Sequence, residues 1–92
     1  MNKLILVVED EEELCAIIQA ALVFSGFRVM TASNGREALE AYQRTRPDLV
    51  LTDLIMPEKE GIETILQLKR LDPSVKIIAM SESGTWSALV CF

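Results

Sequence analysis

The sequence predicts an α/β protein built on a doubly wound parallel sheet, and two observations lead to that prediction. Short apolar segments of strand length alternate along the chain with amphipathic segments of helix length. The connections between them are short, which favours right-handed β-α-β crossovers and therefore parallel strands. With 92 residues, the chain has the size of one domain.

Four apolar segments are predicted to be strands. Three of them are LILVV at 4–8, LVLT at 49–52 and VKIIAM at 75–80. Their apolar character favours burial on both faces, as in the interior of a parallel sheet. The remaining segment, FRVMTA at 27–32, alternates more and is predicted to be an edge strand.

Three segments between the strands are predicted to be helices, over residues 11–25, from about 34 to 45, and over 61–72. Asn34 with Glu37 resembles a capping box at the start of the second helix. In the first helix, apolar residues follow the i, i+3, i+4 spacing that predicts one buried face. These residues are Leu14, Ile17, Ile18, Ala21 and Leu22.

Composition excludes several classes of function. The net charge of −5 disfavours nucleic-acid binding and attachment to an anionic membrane. Two cysteines, Cys15 and Cys91, without any histidine do not make a structural zinc site. The first apolar run is too short for a signal peptide, and no segment is long enough to span a bilayer, so a cytoplasmic location is expected.

Polar side chains that can bind a ligand or react follow three of the strands. Glu9 and Asp10 follow the first strand, Asp53 the third, and Ser81 the fourth. Each acid alone has a structural explanation as a helix or turn cap, but ligands of parallel sheets bind at this edge. Carboxylates brought together there favour Mg²⁺, beside which one of them can accept a phosphoryl group.

The chain also resembles the receiver domains of two-component response regulators. The resemblance is carried by ILVVEDE at 5–11, PDLVLTDLIMPEKEGIE at 47–63 and KIIAMS at 76–81. It implies the flavodoxin-like, CheY-like fold, in which strands follow the order 2-1-3-4-5. Here the strand order 2-1-3-4 is expected, with the fifth βα unit missing.

The resemblance implies a role for each matching residue. Asp53 corresponds to the phosphoacceptor, Asp10 to the direct ligand of Mg²⁺ or Mn²⁺, and Glu9 to the acid that acts through water. The backbone carbonyl of Ile55 corresponds to the third protein ligand, and Ser81 to the switch hydroxyl. A sensor histidine kinase or a phosphotransfer protein is the implied phosphodonor, and the module is a phosphoacceptor signalling domain, not an enzyme.

The resemblance ends near Gly84. We therefore predict a truncated receiver over residues 1–84 and an apolar tail over 85–92. The lysine and the aromatic switch residue of the family's fifth strand have no counterpart, since neither Trp86 nor Phe92 fits the local pattern. Signal output is expected to be impaired.

The tail has several conformations open to it. It could begin a helix, form an antiparallel hairpin around 82–84, or pair with another chain. An uncovered fourth strand would be an exposed apolar edge. We therefore expect a homodimer or higher oligomer that covers the fourth strand and the tail.

Two other functions remain open. One is a non-signalling interaction module built from a degenerate receiver. The other is a flavin binder, which the acids at 9–13 disfavour because they repel phosphate at the site where a flavin phosphate would bind.

Overall fold

The computed structural model describes residues 2–53, 60–83 and 86–91. Strands and helices alternate up to the fourth strand, after which a fifth strand follows directly. The elements are β1 (Leu4–Val8), α1 (Glu12–Phe24), β2 (Arg28–Ala32), α2 (Gly35–Arg44), β3 (Leu49–Asp53), α3 (Glu60–Leu71), β4 (Ile77–Ser83) and β5 (Trp86–Cys91).

The strands form one sheet in the order β2-β1-β3-β4-β5. The first four strands are parallel, which confirms the predicted fold class and the order 2-1-3-4. β5 runs antiparallel to β4 and pairs with it from Ile78 to Ser83. Of the arrangements left open for the tail, the antiparallel pairing with the fourth strand is the one found, and it covers the outer edge of β4.

One face of the sheet packs against α2 and α3 and forms the main core. Side chains alternate between the faces of a strand, so every second strand residue points to this side. The core side chains of the strands are Leu6, Val8, Ala32, Val50, Ile77 and Ala79; the helices add Ala38, Ala41, Tyr42, Ile65 and Leu68. Asn34 caps α2 as predicted, with its side chain accepting a hydrogen bond from the backbone N–H of Glu37 at 2.8 Å.

The other face carries α1, which packs on β1 and β2. No residue of α1 is buried. Leu14, Ile18 and Leu22 are partly covered, whereas Ile17 is 65% exposed and Ala21 is also exposed. The prediction that Ile17 and Ala21 face inward is wrong. The apolar spacing identifies a stripe on the helix, but it does not show how much of that stripe the sheet covers. Within the described residues, no helix combines the length and apolar character needed to cross a membrane.

A polar contact fastens the end of α3 to α2. The Tyr42 hydroxyl donates a hydrogen bond to Asp72 at 2.7 Å, and the Arg46 guanidinium contacts the same carboxylate oxygen at 2.9 Å. The hydroxyl and backbone N–H of Ser74 bond the other oxygen. These donors, with Tyr42 the strongest, lower the pKa of Asp72 from 3.8 to about 2.

This contact makes the fold sensitive to acid. Because the pKa of Asp72 is lower in the folded chain, its stabilising effect is complete above 3.8 and is lost as pH falls toward about 2. We expect Asp72→Asn to be less stable than the wild type at pH 6, with a difference that shrinks as pH falls through this window. Urea unfolding at a series of pH values measures it. Glu63→Gln, at an exposed position of α3, is the control, and a pH-independent difference for Asp72→Asn contradicts the assignment.

Candidate functional site

Three acids lie together at the carboxyl edge of the sheet. Glu9 and Asp10 follow β1 directly, and Asp53 is the last residue of β3. The two strands are parallel neighbours, with Val8 opposite Thr52, so both chains reach this edge at the same level. Each of the three acids places a carboxylate oxygen within 4.8 Å of those of the other two.

The environments of the three carboxylates differ. Glu9 is 3% exposed, Asp53 is partly buried and Asp10 is exposed. The backbone N–H of Glu9 donates to the carbonyl of Ala32 at 3.0 Å, which ties the segment after β1 to the end of β2. Glu9 Oε2 accepts a hydrogen bond from the backbone N–H of Glu11 at 3.0 Å. In the described part of the chain, the buried Glu9 Oε1 finds no hydrogen-bond partner.

These surroundings raise the pKa of Glu9 to about 7. Burial is the main cause; the Asp10 side chain, through a hydrogen bond and its charge, and the charge of Asp53 act in the same direction. The N–H of Glu11 opposes them. A buried carboxylate oxygen without a donor, beside two other carboxylates, fits a hard divalent cation such as Mg²⁺, which would replace the proton.

The raised pKa of Glu9 predicts that Mg²⁺ affinity depends on pH. Below about 7 the proton on Glu9 competes with the cation, so affinity should rise by about tenfold per pH unit and level off above that value. Titration calorimetry between pH 5.5 and 8 measures this. Glu9→Gln should bind more weakly and lose most of the pH dependence, whereas Glu40→Gln on α2 should behave as the wild type. A flat wild-type profile contradicts the prediction.

A cavity of about 370 Å³ opens beside Glu9 and Asp10. Cys15 is partly buried and lines this cavity. Burial, followed by the charge of Glu9, raises the pKa of the Cys15 thiol. Thr31 and Ser33 also line the cavity, and the sequence patterns gave no signal for them.

The two remaining predicted site residues are Ile55, which follows β3, and Ser81, which follows Met80 in β4. Asp53 pairs with Met80 in the sheet, and Ser81 is the next residue of β4, so its backbone lies at the same edge as the three acids. Ile55, whose carbonyl was predicted to be a ligand, lies outside the described residues.

A doubly wound sheet with an acid cluster at the ends of its two central strands defines a protein of the receiver type. The chain belongs to the response regulator receiver domain family, whose model matches residues 5–90. The match continues past Gly84, where the motif resemblance ends.

Known proteins of this family are similar over most of the chain. The chemotaxis protein CheY of Thermotoga maritima is 35% identical over 91 residues, which cover 98% of this chain and 76% of that protein. The regulatory protein PhoP of Bacillus subtilis, named for alkaline phosphatase synthesis, is 46% identical over 70 residues, which are 76% of this chain but 29% of PhoP. The chain thus corresponds to about three quarters of CheY and to less than a third of PhoP.

Solved structures agree with this assignment. The response regulator TrrA of Thermotoga maritima, in complex with Mg²⁺-BeF, has a TM-score of 0.82 at 33% identity, over 89% of this chain and 71% of that one. A complex of the histidine kinase ThkA with TrrA matches with a TM-score of 0.80 at 31% identity, over 91% of this chain and 74% of that one.

Proposed function

We propose that this chain is a cytoplasmic receiver module that binds Mg²⁺, or Mn²⁺, and accepts a phosphoryl group on Asp53. The observation that carries the proposal is the cluster of Glu9, Asp10 and Asp53, whose carboxylate oxygens lie within 4.8 Å of one another. A sensor histidine kinase or a phosphotransfer protein is the proposed donor. The similarity to TrrA, solved in complex with a histidine kinase, supports that class of partner.

The proposed roles are those that the resemblance to the receiver family implies for each matching residue. Asp10, exposed at the edge, would hold the cation directly, and the buried Glu9 would hold it through water. The carbonyl of Ile55 is the proposed third protein ligand, and the Ser81 hydroxyl the proposed switch donor. The bound ion would supply positive charge that offsets the acids and the charge on the transferred group.

The transfer itself exchanges one bond to phosphorus for another. A carboxylate oxygen of Asp53 attacks the phosphorus, a P–O bond forms, and the P–N bond of the donor phosphohistidine breaks. The electron pair of the broken bond returns to the imidazole. Asp53 is only partly buried, so part of its side chain is accessible from solvent.

Incubation with acetyl phosphate tests the proposal without a kinase. In that reaction the P–O bond of the donor breaks and acetate leaves. We expect the intact mass of the chain to increase by one phosphoryl group in Mg²⁺ and to remain unchanged in EDTA. Treatment with hydroxylamine should remove the added mass, as expected for an acyl phosphate. A chain that acquires no adduct at any Mg²⁺ concentration overturns the proposal.

A second candidate is a non-signalling interaction module built on the same fold. The observation that favours it is β5, which runs antiparallel to β4 and contains no lysine to pair with a phosphoryl group. This candidate predicts no adduct and no Mg²⁺-dependent change in Trp86 fluorescence in the same experiment.

A further inference from the structure

The two faces of the sheet are covered unequally over β3 and β4. Toward α2 and α3, Val50, Ile77 and Ala79 are at most 1% exposed. On the opposite face, the apolar side chains of the same strands are all partly exposed. We call these four residues the open sheet face: Leu49, Leu51, Ile78 and Met80.

Helix α1 lies beside the open sheet face and is apolar on nearly every side. From Leu14 to Phe24, Gln19 is the one polar residue in its sequence. A helix that is apolar all round normally lies inside a protein, yet no residue of α1 is buried. A second stripe, which we call the outer stripe, is exposed at the i, i+3, i+4, i+7 spacing. It consists of Ile17, Ala20, Ala21 and Phe24.

The outer stripe exposes large side chains to an unusual degree. Phe24 is 94% exposed, Ile17 65%, and the neighbouring Val23 54%. Together with the alanines, side chains of this size leave on the order of 500 Å² of apolar surface on each copy. The open sheet face adds to this area, which brings it to about the 600 Å² per partner that the smaller specific interfaces bury.

Each chain therefore has an apolar helix, α1, that its own sheet covers only in part. It also has an apolar sheet face on which no described helix packs. We propose that two copies of this chain form a two-fold symmetric dimer in which α1 of each copy packs on the open sheet face of the other. The two helices then lie side by side between two sheets, with their outer stripes in contact. A second copy fits because the arrangement is reciprocal. The two equivalent contacts of the dimer cover both α1 and the open sheet face of each chain.

This interface differs from the one expected from the sequence. The sequence predicted self-association along the fourth strand and the tail, but β5 pairs with β4 within the chain. The proposed dimer leaves the outer edge of β5 unused. It also does not require Asp53, so Asp53→Asn should dimerise as the wild type does.

Sedimentation equilibrium of the full chain over a concentration series tests the proposal. We expect reversible dimerisation with a dissociation constant in the micromolar range, because the interface is at the lower end of the size range. Phe24→Glu should raise that constant by at least about thirtyfold, as for a large aromatic side chain that an interface buries. Gln19→Glu adds the same charge to the exposed side of α1 away from the outer stripe and should leave the constant unchanged.

The possible outcomes separate the alternatives. Because Phe24 is almost fully exposed, its replacement should leave the fold intact, which circular dichroism checks. A wild-type chain that stays monomeric up to about 100 μM overturns the proposal, as does a dimer that Phe24→Glu leaves unchanged. A monomeric wild type would mean that the outer stripe binds a different protein. A dimer that Phe24→Glu leaves unchanged would mean that the copies associate through the outer edge of β5. Ile17→Glu provides an independent repeat at the other end of the outer stripe.

Discussion

Replacing Asp53 with asparagine is expected to abolish phosphorylation of the chain by acetyl phosphate. The amide of asparagine is a far weaker nucleophile than a carboxylate, so the acyl phosphate cannot form at that position. The adduct should fall below detection by intact mass, not merely decrease. Asparagine has nearly the same shape as aspartate, and Asp53 is only partly buried, so the fold should be retained.

Asp48→Asn is the matched control for this variant. Asp48 immediately precedes β3, and Asp53 ends it, so the two substitutions make the same chemical change at opposite ends of one strand. Asp48 accepts a hydrogen bond from the backbone N–H of Leu4 at 2.8 Å, which the asparagine oxygen can still accept. Asp48→Asn should therefore be phosphorylated like the wild type. Phosphorylation of Asp53→Asn to the wild-type level would place the acceptor at another acid and contradict the assignment.

The same variant bears on metal binding. Removing one of three clustered carboxylates lowers the negative charge that attracts the cation, so Mg²⁺ affinity should also fall. Acetyl phosphate at saturating Mg²⁺ separates the two effects. If the missing adduct reflects only weaker metal binding, high Mg²⁺ should restore it; if Asp53 is the nucleophile, it should not.

Much of the fold follows from local sequence patterns. Apolar runs of about five residues predicted the central strands β1 and β3, and the alternation at 27–32 predicted that β2 lies at an edge. The position of β5 was one of three alternatives, because 85–92 is a short uncharged segment without a period. Its pairing with β4 depends on contacts between strands that no single segment encodes.

The site was predictable in composition but not in its electrostatics. Acids directly after adjacent parallel strands must meet at one edge, which is why Glu9, Asp10 and Asp53 could be named in advance. Three properties of Glu9 depend on how the chain after β1 is tied to β2. They are its burial, its raised pKa, and an Oε1 atom that finds no hydrogen-bond partner among the residues that the structure describes. The exposure of Ile17 and Ala21 on α1 could not be predicted either. A periodic apolar pattern does not show how many of its residues the sheet covers.

The largest effect on stability is expected at Leu68, on the face of α3 that packs against the sheet. Its side chain is fully buried and belongs to the same cluster as Val50 and Ile77. Leu68→Ala removes three carbon atoms from this cluster and leaves a cavity, which should lower the free energy of unfolding by about 3 kcal/mol. For a domain of this size, that is a large part of the total stability.

Leu66→Ala makes the same change at a position of α3 that is 56% exposed, and it serves as the control. It should cost less than about 1 kcal/mol, because its side chain loses little contact with the core. Urea unfolding of both variants at pH 7 gives the two differences from the wild type. If Leu68→Ala does not fold, Ile65→Val, at a position 4% exposed in the same cluster, should still show a loss of about 1 kcal/mol. Equal losses for Leu66→Ala and Leu68→Ala would mean that α3 does not bury this face against the sheet.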